Sequence, residues 1–289
     1  MGKIAVLGDN MVNVIAAGEV VERPASVLKE LLENSIDAGA KNSVVSVEEG
    51  GLELISVSDD GCGMAADDLS MAFQRHATSK ISRQEDLERI STMGFRGEAL
   101  ASIAAVAQVK AVSRMAESIE AACIEIDCGV FGQVRPCSGA VGTTIEVRKL
   151  FYKLPARRKF LRTANTEFKH ITEHFTRIAL AGCSLDMTLI HNGRQVVRLT
   201  RNSTPQQRIH ELLSDSVAED LVEFSSREKG LSIRGLIGRP ASARTSNRYQ
   251  YVFLNGRFIR DKFISHAIQE AYRGMMEPGR FPVAFIWIE

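Results

Sequence analysis

The sequence is poor in several features, and each shortage narrows what the protein can be. Aromatic residues make up 6% of its 289 residues, with one tryptophan, and only 7 prolines accompany 22 glycines. So little proline excludes a collagen-like or low-complexity chain. No apolar run approaches the roughly 18 residues of a membrane-spanning helix. The Walker A pattern G-x-x-x-x-G-K-[ST] is also missing, which excludes a P-loop enzyme.

Cysteine is scarce and irregularly spaced. The five cysteines are Cys62, Cys123, Cys128, Cys137 and Cys183, and no C-x-x-C pair occurs. An odd number without that pattern argues against a zinc site and against the disulfide framework of a secreted protein, and it fits a reducing cytosol. We expect all five to be small, buried side chains.

Charge is balanced overall but unevenly distributed. The formal net charge is +1, yet residues 1–150 hold 14 Lys and Arg against 22 Asp and Glu, whereas residues 151–289 hold 22 against 13. The stretch Phe151–Leu180 alone has seven basic and two acidic residues. Such a basic block fits an anionic partner such as nucleic acid, and it fits equally well a solvated surface that balances an acidic neighbour.

The apolar pattern, with 45% hydrophobic residues, predicts a folded α+β protein. Pro24 suits the first turn of a helix and Gly39 its end, so a helix is predicted over Pro24–Ala38. Strands and helices follow one another without strict alternation, which favours α+β over a doubly wound parallel sheet. The polar, turn-rich segment Asn202–Pro205 predicts a boundary between a domain 1–203 and a domain 204–289.

The other predicted elements are short. Two Asn-Gly dipeptides predict β-hairpins, at Asn192-Gly193 and Asn255-Gly256. Further strands are predicted over 43–47, 52–57, 108–113, 121–127, 143–147, 231–237 and 281–288. Further helices are predicted over 65–74, 98–107, 155–161, 166–181, 205–213 and 262–272.

One face of the first helix is a candidate catalytic surface. Glu30, Asn34 and Asp37 are spaced i, i+4, i+7 and share that face. Asparagine is a poor residue for the middle of a helix, and the acids lack the lysine partners that usually accompany them. A carboxylate and a carboxamide one turn apart can polarise water and bind a hard cation such as Mg²⁺. An ordinary solvated face is the alternative.

Glycine-rich segments supply candidate ligand-binding loops. Asp59-x-Gly61-x-Gly63 follows a strand, where a carboxylate can accept the amine of adenine, although so short a motif on its own favours a tight turn. The loop Gly94–Glu98 precedes an apolar helix and offers backbone amides to phosphate. Hydroxyl and ammonium groups that suit phosphate lie nearby, at Thr78, Ser79 and Lys80. Each of these segments fits an ordinary loop as well.

The order of these motifs resembles the GHKL ATPase superfamily, which includes topoisomerase, chaperone, histidine kinase and MutL ATPases. Within it the chain looks like the bacterial MutL mismatch-repair family over almost its whole length. The stretches that carry this resemblance are AAGEVV (16–21), ENSIDAGA (33–40), RHATSK (75–80), GFRGEAL (94–100) and PARRKFL (155–161). The implied fold is a GHKL-type ATPase α/β sandwich followed by a smaller, ribosomal-protein-like α+β domain.

The resemblance implies an ATPase site that uses ATP and Mg²⁺. Glu30 matches the general base, Asn34 the Mg²⁺ ligand and Asp59 the residue that reads adenine. The other implied nucleotide-binding residues are Asp37, Gly61, Gly63, Thr143 and the lid residues Thr78, Ser79, Lys80, Gly94, Phe95, Arg96 and Gly97.

The resemblance also implies partners and a location. Arg162, Arg177, Arg257 and Arg260 match a DNA-binding face with contacts to the DNA backbone. ATP binding is expected to pair two copies of the chain, and the mismatch-recognition protein MutS is an expected partner. A cytoplasmic, nucleoid-associated protein is implied.

One departure from the family matters, and alternatives to it are kept. The family's second domain continues past Glu289 with a lysine that reaches the γ-phosphate and later with a dimerisation domain, so slow hydrolysis and weak dimerisation are expected here. The alternatives are a topoisomerase-type or chaperone-type ATPase, which the GFRGEAL and PARRKFL stretches argue against, and a DNA-binding scaffold that holds nucleotide without useful hydrolysis.

Overall fold

A computed structural model describes residues 17–18, 20–80, 92–94 and 97–289, and the chain divides into two units. The first unit extends to Phe175 and takes in Leu185–Arg198 as well. The second comprises Thr176–Ser184 and Leu199–Glu289. Helices and strands are mixed in both, so the predicted α+β class is confirmed.

A single mixed sheet forms the framework of the first unit. Its described strands are β1 (Asn42–Glu48), β2 (Leu54–Asp59), β3 (Gln108–Arg114), β4 (Ala121–Asp127), β5 (Val130–Phe131), β6 (Arg135–Cys137), β7 (Gly142–Arg148), β8 (Asp186–His191) and β9 (Arg194–Leu199). The order is β5-β4-β3-β7-β2-β1-β8-β9, and β6 pairs with β4. The strands β2, β7, β3 and β4 pair antiparallel, whereas β1 and β8 are parallel.

Helix α1 (Pro24–Asp37) bears the candidate catalytic face and contacts β2 of this sheet. Pro24 stands in its first turn, where a missing amide hydrogen costs nothing, and Gly39 follows its end with a φ of 70°. Its apolar stripe is fully buried, at Val27, Leu28, Leu31 and Leu32. The remaining helices that begin in this unit are α2 (Ala66–Met71), α3 (Ala99–Val106), α4 (Pro155–Phe160) and α5 (Ala164–Ala181).

The second unit is built on a smaller sheet. Its order is β10-β11-β14-β12-β13, with β12 and β14 parallel. The elements are α6 (Pro205–Leu212), α7 (Asp215–Ala218), β10 (Leu221–Glu228), β11 (Leu231–Gly238), β12 (Gln250–Leu254), β13 (Arg257–Ile259), α8 (Lys262–Ala271) and β14 (Ala284–Ile288). Phe253, Phe285 and Trp287 lie in its core, and the Trp287 indole donates to the carbonyl of Leu180 over 3.0 Å.

Two sequence expectations have clear outcomes. Both Asn-Gly dipeptides form the predicted hairpin turns, with positive φ at Asn192 and Asn255 and at the glycine after each. The expectation for the cysteines was wrong in part. Cys62 is exposed because it lies in the turn after β2, and Cys137 and Cys183 are only half-buried. Among the described residues, no helix combines the length and apolar character needed to cross a membrane.

Candidate functional site

The polar face of α1 carries charge partners that the sequence reading missed. Lys29 Nζ lies 2.9 Å from Glu30 Oε1 and 3.0 Å from Glu33 Oε2. The expectation of acids without lysine partners was therefore wrong, because Lys29 contacts its neighbour and also reaches the acid one turn further on. Burial lowers the pKa of Lys29, but the hydrogen bonds and charges of Glu30 and Glu33 outweigh it and raise that pKa overall.

Asn34 and Asp37 meet Lys80 at the end of α1. The Lys80 ammonium donates to Asn34 Oδ1 over 2.8 Å and to Asp37 Oδ2 over 2.6 Å. Asp37 also accepts the backbone N–H of Met93 over 2.7 Å and that of Gly94 over 3.0 Å. This one carboxylate, with its side chain 6% exposed, thus fixes the 92–94 segment and Lys80 against α1.

Asp59 ends β2 beside the same helix. Its carboxylate accepts the Ser35 hydroxyl over 2.9 Å, the Gly61 N–H over 2.9 Å and the backbone of Thr143, the residue opposite it on β7. Burial nevertheless raises the pKa of Asp59, because it outweighs the hydrogen bonds that favour the ionised form. Asp59 and the polar face of α1 are therefore linked through Ser35, the residue directly after Asn34.

The glycines of the predicted motifs stand where backbone segments approach closely. A Cβ on Gly61 would lie 2.8 Å from the Cβ of Ala38, and a Cβ on Gly63 would overlap the carbonyl of Arg114. Gly97 has a φ of 62°, and a Cβ there would lie 2.9 Å from the carbonyl carbon of Ala77. Gly97 therefore lies against the 75–80 segment at Ala77.

The other predicted nucleotide-binding residues occupy different surroundings. Thr78 Oγ1 accepts the N–H of Lys80 over 3.2 Å, and Ser79 is exposed. Thr143 Oγ1 lies 2.8 Å from Ser113 Oγ. Phe95 and Arg96 fall outside the described residues.

Two serines at this site were missed by the sequence reading. Ser35 is 2% exposed and bonds Asp59, whereas Ser113 is 1% exposed and contacts Thr143, the carbonyl of Gly142 and the N–H of Met64. Ser35 sits inside the ENSIDAGA stretch between two singled-out residues, so its position was an available signal. Ser113 ends an ordinary strand pattern, so the sequence carried no signal that pointed to it.

The arginines of the predicted DNA-binding face fall into two groups. Arg162 is exposed in the first unit, where its N–H donates to the buried carboxylate of Glu167 over 2.9 Å. In the second unit, the Arg177 guanidinium stacks over the Phe258 ring at 4.7 Å, and that of Arg260 lies 5.8 Å from the same ring. Arg257 and Arg260 are exposed and flank Phe258 on the chain. The structure therefore clusters Arg177 and Arg260 around one aromatic side chain.

The donor chemistry of the site suits a hard cation. Asn34 Oδ1 and the Asp37 carboxylate lie close enough together to contact the same ammonium group, that of Lys80. Both are oxygen ligands, which Mg²⁺ prefers. No cluster of three His, Cys, Asp or Glu side chains suited to a metal occurs in the part of the chain that the structure describes. A cation here would therefore take few protein ligands and would need others from its substrate.

Two family descriptions match separate parts of the chain. "Histidine kinase-, DNA gyrase B-, and HSP90-like ATPase" matches residues 22–135, and "DNA mismatch repair protein, C-terminal domain" matches residues 209–289. The first range contains α1 and the Asp59 motif, whereas the second contains all five strands of the smaller sheet.

Curated relatives are similar over 99% of this chain. The DNA mismatch repair protein MutL of Citrifermentans bemidjiense is 46% identical over 287 residues, which is 44% of that protein. The MutL of Azotobacter vinelandii is 45% identical over 291 residues, which is 45% of its length. The chain thus spans less than half the length of these relatives.

Solved structures share the fold. The Aquifex aeolicus MutL ATPase domain complexed with ADP matches with a TM-score of 0.69 and 29% identity, over 93% of this chain and 92% of that one. The N-terminal domain of a DNA repair protein matches with a TM-score of 0.83 and 25% identity, over 98% and 89%. The predicted GHKL-type fold followed by a smaller α+β domain is confirmed.

Proposed function

This chain belongs to the MutL family of DNA mismatch-repair proteins as its N-terminal ATPase region, and we propose that it is an ATP-driven, DNA-binding switch. The observation that carries the proposal is the Ser35–Asp59 hydrogen bond. It fixes a carboxylate suited to adenine beside the helix that bears Glu30 and Asn34. Helix α1 would then position both ends of a nucleotide, the adenine through Ser35 and Asp59 and the phosphates through Glu30 and Asn34.

Adenine binding is assigned to the end of β2. The ionised Asp59 carboxylate accepts the exocyclic amine of adenine, while Gly61 and Gly63 let the backbone turn without side chains in the way. Thr143 lies opposite Asp59 in the β2–β7 register and is assigned to the same adenine pocket. Because this contact involves the base and not the phosphates, ATP and ADP share it.

Hydrolysis is assigned to the polar face of α1. Asn34 would hold Mg²⁺, which when bound neutralises developing charge on the phosphates. Glu30 takes the proton of the attacking water, and Lys29 keeps this carboxylate in place through its 2.9 Å contact. The lid, which keeps bulk water but not the attacking water from the phosphates, is assigned to Thr78, Ser79, Lys80, Gly94, Phe95, Arg96 and Gly97.

The rest of the switch involves other molecules. ATP-closed lids pair two copies of the chain, and the arginines Arg162, Arg177, Arg257 and Arg260 bind the DNA backbone without reading its sequence. The mismatch-recognition protein MutS is the proposed protein partner. Hydrolysis by this region alone is proposed to be slow.

The test compares a substitution at Glu30 with one at Glu33, because both carboxylates contact Lys29. Glu30→Ala is expected to retain ATP binding and lose roughly 10²–10⁴-fold in single-turnover hydrolysis, because the water loses its base. Glu33→Ala is the matched control, since Glu33 pairs with the same Lys29. Equal turnover in wild type and Glu30→Ala would refute the assignment.

A second measurement separates a switch from a scaffold that merely holds nucleotide. Equilibrium affinity for a non-hydrolysable ATP analogue is compared with single-turnover hydrolysis of ATP on the same protein. Tight analogue binding together with measurable, Glu30-dependent turnover supports the ATPase. Tight binding without any turnover favours the scaffold.

A further inference from the structure

Lys80 contacts two side chains of α1, Asn34 and Asp37, and a lysine that served only to bind phosphate would not need these contacts. Its ammonium lies 2.8 Å from Asn34 Oδ1 and 2.6 Å from Asp37 Oδ2, and its side chain is 20% exposed. A Cβ on Gly94 would come within 3.3 Å of Nζ, so the ammonium is confined between α1 and the 92–94 segment. Asn34 Oδ1 is the same atom to which the metal-ligand role is assigned.

We propose that Lys80 is a built-in competitor of the metal, whose ammonium must leave Asn34 before a divalent cation binds there. The inference rests on the proposed function, because that function assigns the metal to Asn34. Two positive charges repel each other, and the Asn34 and Asp37 oxygens that stabilise the ammonium are those that a cation requires. Binding of one therefore opposes binding of the other.

The contacts around Lys80 allow this exchange without rebuilding the site. Asp37 keeps the N–H groups of Met93 and Gly94 when the ammonium departs, so its buried carboxylate does not lose all its partners. The Lys80 N–H is held by Thr78 Oγ1, which fixes the backbone at the base of the side chain. The flexible four-carbon stem then carries the ammonium away from Asn34 and towards a phosphate.

The consequence is a link between phosphate and metal binding. A phosphate that attracts Lys80 frees Asn34, so nucleotide and divalent cation favour each other through this side chain. Without nucleotide, Lys80 suppresses metal binding. The metal concentration needed to occupy the Asn34 site is thus set partly by Lys80.

The experiment measures metal alone, without nucleotide. Mn²⁺ is titrated into the folded protein and free Mn²⁺ is followed by electron paramagnetic resonance. Lys80→Met removes the charge and keeps much of the stem, and we expect it to bind Mn²⁺ about tenfold or more tightly than wild type. Lys80→Arg keeps the charge and is expected to stay weak, whereas the Lys80→Met gain is expected to vanish when Asn34→Ala is added.

Controls separate this effect from general loss of charge and from misfolding. Lys153→Met removes a lysine that pairs with Asp127 and not with a residue of α1, and it is expected to leave Mn²⁺ affinity unchanged. Circular dichroism melting checks that each variant is folded. A merely phosphate-binding Lys80 would not alter Mn²⁺ affinity in the absence of nucleotide.

Equal Mn²⁺ affinity in folded wild type and folded Lys80→Met would overturn the inference. The proposed function is tested separately, by the Mg²⁺ dependence of ADP affinity in wild type. If that dependence is present and the Lys80→Met gain is absent, the competition is wrong while the nucleotide site stands. If the gain is present and nucleotide affinity ignores Mg²⁺, the function is wrong while the competition stands.

Discussion

At the scale of single residues, Asp59 has two opposing influences on its carboxyl group. Burial raises its pKa, while hydrogen bonds from Gly61, Ser35 and Thr143 favour the ionised form without fully offsetting that rise. A carboxyl whose pKa is higher in the folded state binds more protons there, so stability falls as pH rises from the unfolded value through the folded pKa. The site therefore keeps an ionised group at some cost to folding, which suits a ligand-binding role.

Asp59→Asn is expected to weaken ATP and ADP by the same factor. The amide presents a donor where the adenine amine needs an acceptor, and a mispaired buried group costs about 1–3 kcal/mol. Calorimetric titration with both nucleotides measures the two losses. An affinity for ADP that stays intact while ATP is lost would place Asp59 at the phosphates and contradict the pocket layout.

The raised pKa of Asp59 also predicts how pH affects ADP binding. As pH falls, protonation removes the acceptor, and affinity should begin to drop at a pH above the ordinary aspartate value of about 3.9. Asp59→Asn should lack this component and retain only the change that comes from adenine itself. Superimposable wild-type and variant pH profiles would count against Asp59 as the titrating contact.

At the scale of elements, what was predictable depended on how strongly each segment was patterned. Helix α1 was predicted to within one residue because a proline, an apolar stripe and a glycine mark it. Strand β10 was missed because it is almost wholly exposed and shows no apolar alternation, and the four-residue helix α7 is too short to have a period. The two-residue strand β5 depends on pairing with β4, which no local pattern encodes.

Some residues of the candidate site were predictable from the sequence, but their contacts were not. The i, i+4, i+7 spacing placed Asn34 and Asp37 on one face, and both do contact the same ammonium. That Lys80 provides it could not be read from spacing, because 43 residues separate Lys80 from Asp37 and only the folded chain brings them together. Ser113 was hidden for the same reason, since its partners lie on β7 and in the loop after β2.

Comparing Gly63, in the turn after β2, with Gly39, which has the same φ, tests how tightly that turn is packed. Gly39 and Gly63 both have a φ of 70°, but a Cβ on Gly39 meets nothing within 4 Å, whereas one on Gly63 would overlap the Arg114 carbonyl. Gly39→Ala is expected to cost about 1 kcal/mol from the left-handed conformation alone. Gly63→Ala should cost clearly more, because the Arg114 backbone must also move. Urea unfolding compares them, and equal losses would mean that the turn accommodates the methyl group.

At the scale of the whole molecule, charge is divided along the chain. The first 150 residues carry a net charge of −8 and the rest +9, so the two parts of the sequence suit different partners. An acidic segment that binds a nucleotide through a metal and a basic one that binds DNA would explain this division. The alternative is that the basic residues only offset acidic neighbours on the same surface.

Charge reversal in the basic block distinguishes these accounts. Arg162→Glu and Arg177→Glu are each expected to weaken all duplexes about equally and to leave ATP affinity near wild type, because neither residue lies in the nucleotide motifs. Arg135→Glu, which reverses an exposed arginine paired with Glu125, is the control and should leave DNA affinity near wild type. Melting curves are needed for Arg177→Glu, since its guanidinium stacks on Phe258.

Salt dependence gives the last and most direct test of backbone binding. Each phosphate that an arginine neutralises releases condensed counterions, so log affinity should fall with log salt at a slope of about −0.9 per phosphate. Anisotropy titrations at several salt concentrations should therefore give a shallower slope for Arg162→Glu and Arg177→Glu than for wild type or Arg135→Glu. Surface arginines that only offset acidic neighbours would leave DNA affinity weak and unchanged by either substitution, while the melting temperature fell. Strong preference for one sequence, or affinity that hardly responds to salt, would show that these arginines do not bind the DNA backbone.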